Sequence, residues 1–375
     1  MAHTYLAAPG SLKAIEQAIL DIARAPGEDL FVSKDFASKR LGVLNDVARL
    51  QLLATWARHA PEGCLQFHGA NDVPAVLEEW CEYAPGIVGL RMSQGVLVGD
   101  VRVDRREALV PAVSKMTATD ALDLDRIIKG RTLDFCCVSG SKIQFLRPLF
   151  TSRDASSVKG KQGMFDLLKA VSKRVAQSDK DRIPDEFITA CAVFCSELVR
   201  NTQEHATRDR QGQRYVEHVE GLLVGWHDDM QKEDFTEHER LNAFWGREQG
   251  RQNNEATLRT LQLSFFDTGP GFASRLTGKA VSDLSLDEER AAVLSSLRKN
   301  ASTKREAGAG NGIPEVLEVL RRLGGLITIR TGRLRLFQAF SPNEDADPFA
   351  FDDWFQAPLA EAAGAVISII LPIRR

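Results

Sequence analysis

No stretch of this 375-residue chain is apolar over anything near the about 20 residues that a membrane-spanning helix needs. The longest apolar run, 365–373, has the length of a strand. Residues 1–6 lack a basic start leading into an apolar core, so no secretory leader is expected and the cytoplasm is the expected location. Charge of one sign is lacking too: 48 Lys and Arg stand against 51 Asp and Glu, a net charge of −3. That balance removes any global electrostatic case for nucleic acid or an anionic membrane, though not for a local basic patch. The six cysteines form no CxxC pair and no histidine cluster joins them, so a zinc site is not expected. Cys64, Cys81, Cys136, Cys137, Cys191 and Cys195 are expected as buried thiols in a reducing compartment. No internal repeat is visible. The glycine-rich segment 308–312 does not end in the GK[ST] of a Walker A motif and does not follow a strand as a Rossmann fingerprint does.

What is present is the composition of a soluble globular protein, 43% hydrophobic and 26% charged, with length for two domains. Residues 1–155 alternate helical patterning (11–24, 44–59, 73–83) with strand patterning (64–68, 96–103, 133–138). Ser11 is a candidate N-cap, and 44–59 reads as amphipathic. No motif in this region carries chemistry. It is expected to be a smaller α/β domain serving as a sensor or partner module. The polar segment 152–163 (SRDASSVKGKQG) reads as a linker or long loop, which places a second domain at 165–375. There, helices are expected over 164–177 and 184–206, and strands over 215–226 and 261–266. A hairpin is expected around Thr331-Gly332, with a last strand over 366–372.

Three segments of the second half hold polar residues in patterns that suit chemistry. In CSELVRNTQEHA (195–206), Glu197, Asn201, Glu204 and His205 fall at i, i+4, i+7 and i+8 of a helix and so form one stripe. A carboxylate one turn from an amide can activate a water or offer oxygen to a hard cation such as Mg²⁺. Such a stripe alone is more often a solvated helix face. In FDTGPGF (266–272), Asp267 closes an apolar strand, and Gly269 and Gly271 let the backbone approach a ligand. An aspartate there can accept from an exocyclic amine such as that of adenine, although D-x-G-x-G alone is more often a turn. In STK (302–304) followed by GAGNGI (308–313), glycines open directly into a helix with Pro314 in its first turn. Backbone N–H groups at a helix start suit phosphates, and Lys304 can add charge; alone, the segment could equally be a flexible loop.

Together, in this order, these segments resemble the N, G1 and G2 boxes of the GHKL superfamily: gyrase B-type topoisomerases, the ninety-kilodalton heat-shock chaperone, histidine kinases and MutL. The resemblance covers about 180–375, and the closing GAVISIILPI is similar to that domain's last strand. It implies a two-layer α/β sandwich of the Bergerat type, a mixed sheet with helices on one face. It implies ATP and Mg²⁺ as cofactors. Asn201 would be the Mg²⁺ ligand and Asp267 the adenine reader, with Gly269 and Gly271 on the pocket floor. Gly308, Gly310 and Gly312 would form the phosphate lid and helix start, and Glu197 would stand where hydrolysing members keep a general base. Glu204 and His205 match positions that are acidic or His in some members. The long gap from Asn201 to Asp267 implies an insertion within 207–258. The threonine that often precedes the last strand is replaced by Gly364-Ala365, with Ser368 or Thr328 as substitutes. With the domain closing at 375, Lys304 is the nearest candidate cation for the γ-phosphate.

No histidine of the seven is followed by the acidic-apolar-basic pattern of a phosphoacceptor, and no paired heptads precede the domain, which argues against a histidine kinase. The expected activity is therefore ATP hydrolysis to ADP and phosphate, driving a conformational switch. The alternatives are a serine/threonine protein kinase of the anti-sigma type and a regulatory module that holds ATP without turnover. Expected partners are ATP and a protein met through the N-terminal domain. A homodimer is left open, nucleic acid is not indicated, and no membrane is expected.

Overall fold

The computed structural model describes residues 4–6, 10–37, 39–68, 72–139, 148–152, 154, 157–209, 213, 217–230, 232–252, 257–298 and 312–373. The N-terminal part runs β1 (Thr4–Leu6), α1 (Leu12–Arg24), β2 (Leu30–Ser33), α2 (Val43–His59), β3 (Cys64–His68), α3 (Val73–Cys81), α4 (Ala84–Met92), β4 (Gly95–Val98) and β5 (Val101–Asp104). Strands β1 to β4 are parallel and lie in chain order, and β5 adds an antiparallel edge. Helices α5 (Arg105–Ala108), α6 (Ala112–Asp120) and α7 (Leu124–Ile127) lead on to β6 (Thr132–Ser139). Next come α8 (Lys161–Ala176), α9 (Asp185–Asn201), β7 (His218–Met230), α10 (Glu239–Arg251), β8 (Leu258–Asp267), α11 (Gly271–Thr277) and α12 (Leu286–Leu297). The chain closes with α13 (Gly312–Leu323), β9 (Gly325–Gly332), β10 (Leu334–Phe340), β11 (Asp352–Asp353) and β12 (Ala362–Pro372).

The second sheet has seven strands in the order β11-β10-β9-β12-β8-β7-β6. The expected mixed α/β class is present, but the parallel pairs lie in the five-stranded sheet. Every described pairing in the seven-stranded sheet is antiparallel, where a mixed sheet was expected. The hairpin at Thr331-Gly332 forms as expected. Strand β6 lies before the 152–163 segment in sequence but pairs with β7 along its whole length. The two sheets therefore part between residues 104 and 132, not at the polar segment.

The seven-stranded sheet is covered on both faces, where helices on one face were expected. On one side Phe135, Leu222, Phe265, Ile329 and Ile367 pack with Leu168, Phe194, Leu198 and Leu317 from α8, α9 and α13. On the other, Cys136, Leu223, Phe266, Val366 and Ile370 share a core with Leu12, Val47 and Leu50 of the N-terminal part. The insertion covers this same side: Leu241, Phe244 and Trp245 of α10 join that core beside Phe235 and Trp354.

Helix α2 corrects the amphipathic expectation. Its buried residues include Leu44, Asp46, Arg49, Gln51, Leu53, Thr55 and Trp56, all round the helix. A helix buried on every side belongs between layers, and α2 contacts α1 and α4 as well as β7, β8 and β12. Its buried polar side chains each find at least one partner within the protein. Asp46 accepts from the Tyr83 hydroxyl at 2.7 Å and pairs with Arg49. Gln51 Nε2 donates to the carbonyls of Arg330 and Ala363, and the amide of Ala363 donates to Thr55 Oγ1. An ionic tie also joins the two parts: Glu16 of α1 accepts from Arg330 Nε and Arg335 Nε, both at 2.9 Å, with all three side chains buried.

Candidate functional site

The strand pattern of the second sheet creates the site. Side chains alternate between faces along a strand, and the register sets Cys137, Glu220, Asp267, Ala365 and Thr331 side by side across β6, β7, β8, β12 and β9. By parity with Phe265, Leu222 and Ile329, this row lies on the face that carries α9. Its two carboxylates are deeply buried, Glu220 at 1% exposure and Asp267 at 3%. Thr268 and Gly269 then leave the sheet, and α11 follows.

Both carboxylate oxygens of Asp267 have a partner. Its Oδ1 accepts from the amide of Gly269 at 2.9 Å, and its Oδ2 is ion-paired with Arg275 of α11. The Arg275 guanidinium lies 5.4 Å from the centre of the Phe272 ring. Gly271 has φ +80°, and a Cβ there would stand 2.7 Å from Thr331 Oγ1. Both glycine and its left-handed backbone are therefore required at this position. Gly364, with φ +70°, is tighter still, since a Cβ there would meet the Asp267 carbonyl at 1.9 Å. Residue 364 thus has no room for the expected threonine. Ser368 and Thr328, the proposed substitutes, are used inside the sheet, on Ser264 and on the Leu336 carbonyl. The threonine beside the glycine loop is Thr331, whose Oγ1 donates to the Gly364 carbonyl and accepts from the Phe272 amide, both at 3.1 Å.

Helix α9 positions the third group. Glu197 is half-buried, and its Oε2 accepts from the amide of Gly312 at 2.7 Å, at the first residue of α13. A carboxylate at a helix start meets both an unpaired N–H and the positive end of the helix dipole. Gly312 itself is held against α9, because a Cβ there would stand 2.7 Å from Phe194 Cα. Asn201 ends α9 with its side chain exposed, open to a cation in solvent. Beyond it the chain widens into a π-helical turn, Thr202–Ala206. The α-helical spacing that put Glu204 on one stripe with Glu197 is thus broken at Thr202, a correction to the four-residue stripe. The π turn touches α11, and its Gln203 Nε2 donates to Glu220 Oε1. Single π turns are frequent at functional sites.

The structure thus joins Glu197 to Gly312 and brings the end of α9 to α11, where Asp267, Gly269 and Gly271 meet. Lys304, Gly308 and Gly310 lie outside the described residues, as does the His205 side chain. Sequence reasoning missed Glu220, Arg275, Gln203 and Thr331. One signal was available: Glu220 is a lone carboxylate in the apolar strand sequence VEGLLVGW. Burial pushes its pKa up, the neighbouring Asp267 adds to that rise, and His218 and Gln203 oppose it. His218 Nε2 stands 3.9 Å from Glu220 Oε2.

The N-terminal part reaches this site directly. Arg58, near the end of α2, donates to the carbonyls of Thr268 at 3.1 Å and Glu217 at 3.0 Å. A cavity of about 620 Å³ lies at the other end of α2, lined by Gly42, Asn45, Trp226, His227 and Gln262 among others. It is remote from the carboxylate row, and His227 and Gln262 there accept from the first amides of α2. All six cysteines are buried, and burial pushes the Cys81 thiol up to about 12, which leaves it inert at neutral pH. No helix of the described residues is long and apolar enough to cross a membrane. No family model, no curated protein and no solved structure matches the chain.

Proposed function

We propose that this chain binds Mg-ATP at the end of the seven-stranded sheet and uses it as a conformational switch, with slow hydrolysis to ADP and phosphate. One observation carries the reading: Glu197 of the first segment accepts from the amide of Gly312, near the end of the third, and the π turn that follows α9 touches α11, which starts four residues after Asp267. Asp267 supplies the acceptor for the exocyclic amine of adenine. The start of α13 supplies N–H groups and a positive dipole end for phosphate. Asn201 is the residue that would hold Mg²⁺, through its amide oxygen. Mg²⁺ takes few protein ligands and fills its shell with waters and phosphate oxygens, which an exposed amide fits. The metal would supply charge neutralisation at the phosphates.

A second reading, ATP held without turnover, is favoured by the Glu197–Gly312 contact. A carboxylate that accepts a helix-start N–H is held in its charged form and is a weaker base towards water. Phosphate release by wild type and Glu197→Gln separates the two. The switch reading expects binding to survive and turnover to fall ~10²–10⁴-fold in the variant, the usual scale for a lost general base. No turnover in wild type, with or without added proteins, would leave ATP as a bound regulator.

A further inference from the structure

We propose that Arg275 is a second base-reading residue, donating a hydrogen bond to adenine N1 while Asp267 accepts from the N6 amine; this rests on the nucleotide reading above. Each carboxylate oxygen offers two lone pairs. The Gly269 amide takes one from Oδ1 and Arg275 takes one from Oδ2, which leaves Asp267 able to accept further. A neutral amine does not displace a guanidinium from a buried carboxylate, because the ion pair adds full charge attraction to its hydrogen bond and the amine offers the hydrogen bond alone. A base that reaches Asp267 therefore meets Arg275 as well. The guanidinium is a planar fork of five donors, and it lies over the Phe272 ring at 5.4 Å from its centre. Carboxylate and guanidinium side by side make one acceptor–donor edge. Its complement is a flat heterocycle with an N–H next to a ring nitrogen acceptor, which is the N6–N1 edge of adenine.

Two buried atoms around this pair support an occupant. Arg275 Nε has no hydrogen-bond partner among the described residues, and Glu220 Oε2 has none closer than His218 Nε2 at 3.9 Å. Glu220 stands opposite Asp267 on the next strand, on the same face. Leaving such groups unpaired is costly, and a polar ligand relieves that cost. The row is rich in acceptors on its β7 side and has its donor on the α11 side, which orients the amine towards the sheet and the ring nitrogen towards α11.

The test is calorimetric binding of ATP and 1-deaza-ATP, which lacks the N1 acceptor, to the full chain in wild-type and Arg275→Met forms. Wild type should bind 1-deaza-ATP roughly 10- to 100-fold more weakly than ATP, the scale for a hydrogen bond from a charged donor. In Arg275→Met that penalty should largely vanish. Arg275→Lys keeps a cation beside Asp267 without the planar fork, and should fold and show a reduced penalty. The wild-type comparison alone needs no variant: equal affinity for the two nucleotides overturns the proposal. An equal penalty in Arg275→Met overturns it too, as does tighter ATP binding by that variant, which would make Arg275 a plug over Asp267. In all three cases ATP still binds and the nucleotide reading stands. No ATP binding by wild type overturns both.

Discussion

The two faces of the seven-stranded sheet are built to different ends. The face under α1 and α2 is closed by ions: Glu16 is buried between Arg330 and Arg335, and α2 spends Gln51, Thr55 and Arg58 on sheet and loop backbone. The face under α9 and α13 is apolar along most of its length and turns polar in a single row, Glu220, Asp267 and Thr331, at one end. Charge on the first face is paired. On the second, one helix start is capped by a half-buried carboxylate and the chain widens into a π turn, while buried atoms without a hydrogen-bond partner occur on both sides, Gln51 Oε1 on the first and Arg275 Nε on the second. The contrast shows how one sheet can be anchored on one side and carry a buried polar row on the other, with Arg58 of α2 reaching the loop beside that row through the Thr268 carbonyl.

The largest expected effect breaks the anchored face. Glu16→Ala leaves two buried guanidinium groups without their carboxylate and should cost about 3–5 kcal/mol of unfolding free energy in denaturant. A loss under about 1 kcal/mol would mean that α1 is held by its apolar contacts alone. On the other face, Gly312→Ala pushes a methyl into the α9 backbone, and should cost about 1–3 kcal/mol, the range for overpacking. It should also loosen α13 from α9, seen as faster amide exchange across 312–323. Unchanged stability would show that the two helices slide apart freely.

The smallest effect has opposite sign on the two faces. Burial alone would raise the pKa of Glu16, but Arg330 and Arg335 outweigh it and hold the group below 4.5. Its stabilisation is complete above pH 4.5 and is lost as pH falls through the folded value. Glu220 is raised above 4.5, so the folded state keeps a proton that the unfolded state releases. Its stabilisation is present below pH 4.5 and is lost as pH rises through the folded value. Each pH unit of separation is worth about 1.4 kcal/mol. Thermal unfolding of Glu16→Gln should therefore flatten below pH 4.5 relative to wild type, and that of Glu220→Gln above it. The same sign for both variants would refute the assignment of either carboxylate.

Much of the fold was legible because local patterns decided it. The alternation along LQLSFF predicted β8, Asp267 fell at its end, and the Thr331-Gly332 turn predicted its hairpin. What failed depended on layers that a sequence does not display. Helix α2 carries polar residues that read as a wet face, yet they serve as hydrogen-bond partners between two sheets. Strand β6 has a strand's apolar pattern, but its pairing with β7 joins residues about 80 or more apart, which no local pattern displays. Arg275 was invisible because its partner lies across a loop and a helix turn, and Glu220 because only cross-strand register puts it beside Asp267. The α-helical spacing that linked Glu197 to Glu204 could not foresee the π turn.

The central claim is that the polar row at Asp267 holds a nucleotide. The most direct measurement is calorimetric titration of Mg-ATP into the wild-type chain and into a folded Asp267→Asn variant. Asparagine keeps the shape and one acceptor but loses the charge that Gly269 and Arg275 hold in place. A nucleotide site predicts saturable binding by wild type and a loss of about 1.5–3 kcal/mol in the variant, the scale for hydrogen bonds to a charged group. Equal affinity in the two proteins, or no binding by wild type, would contradict it.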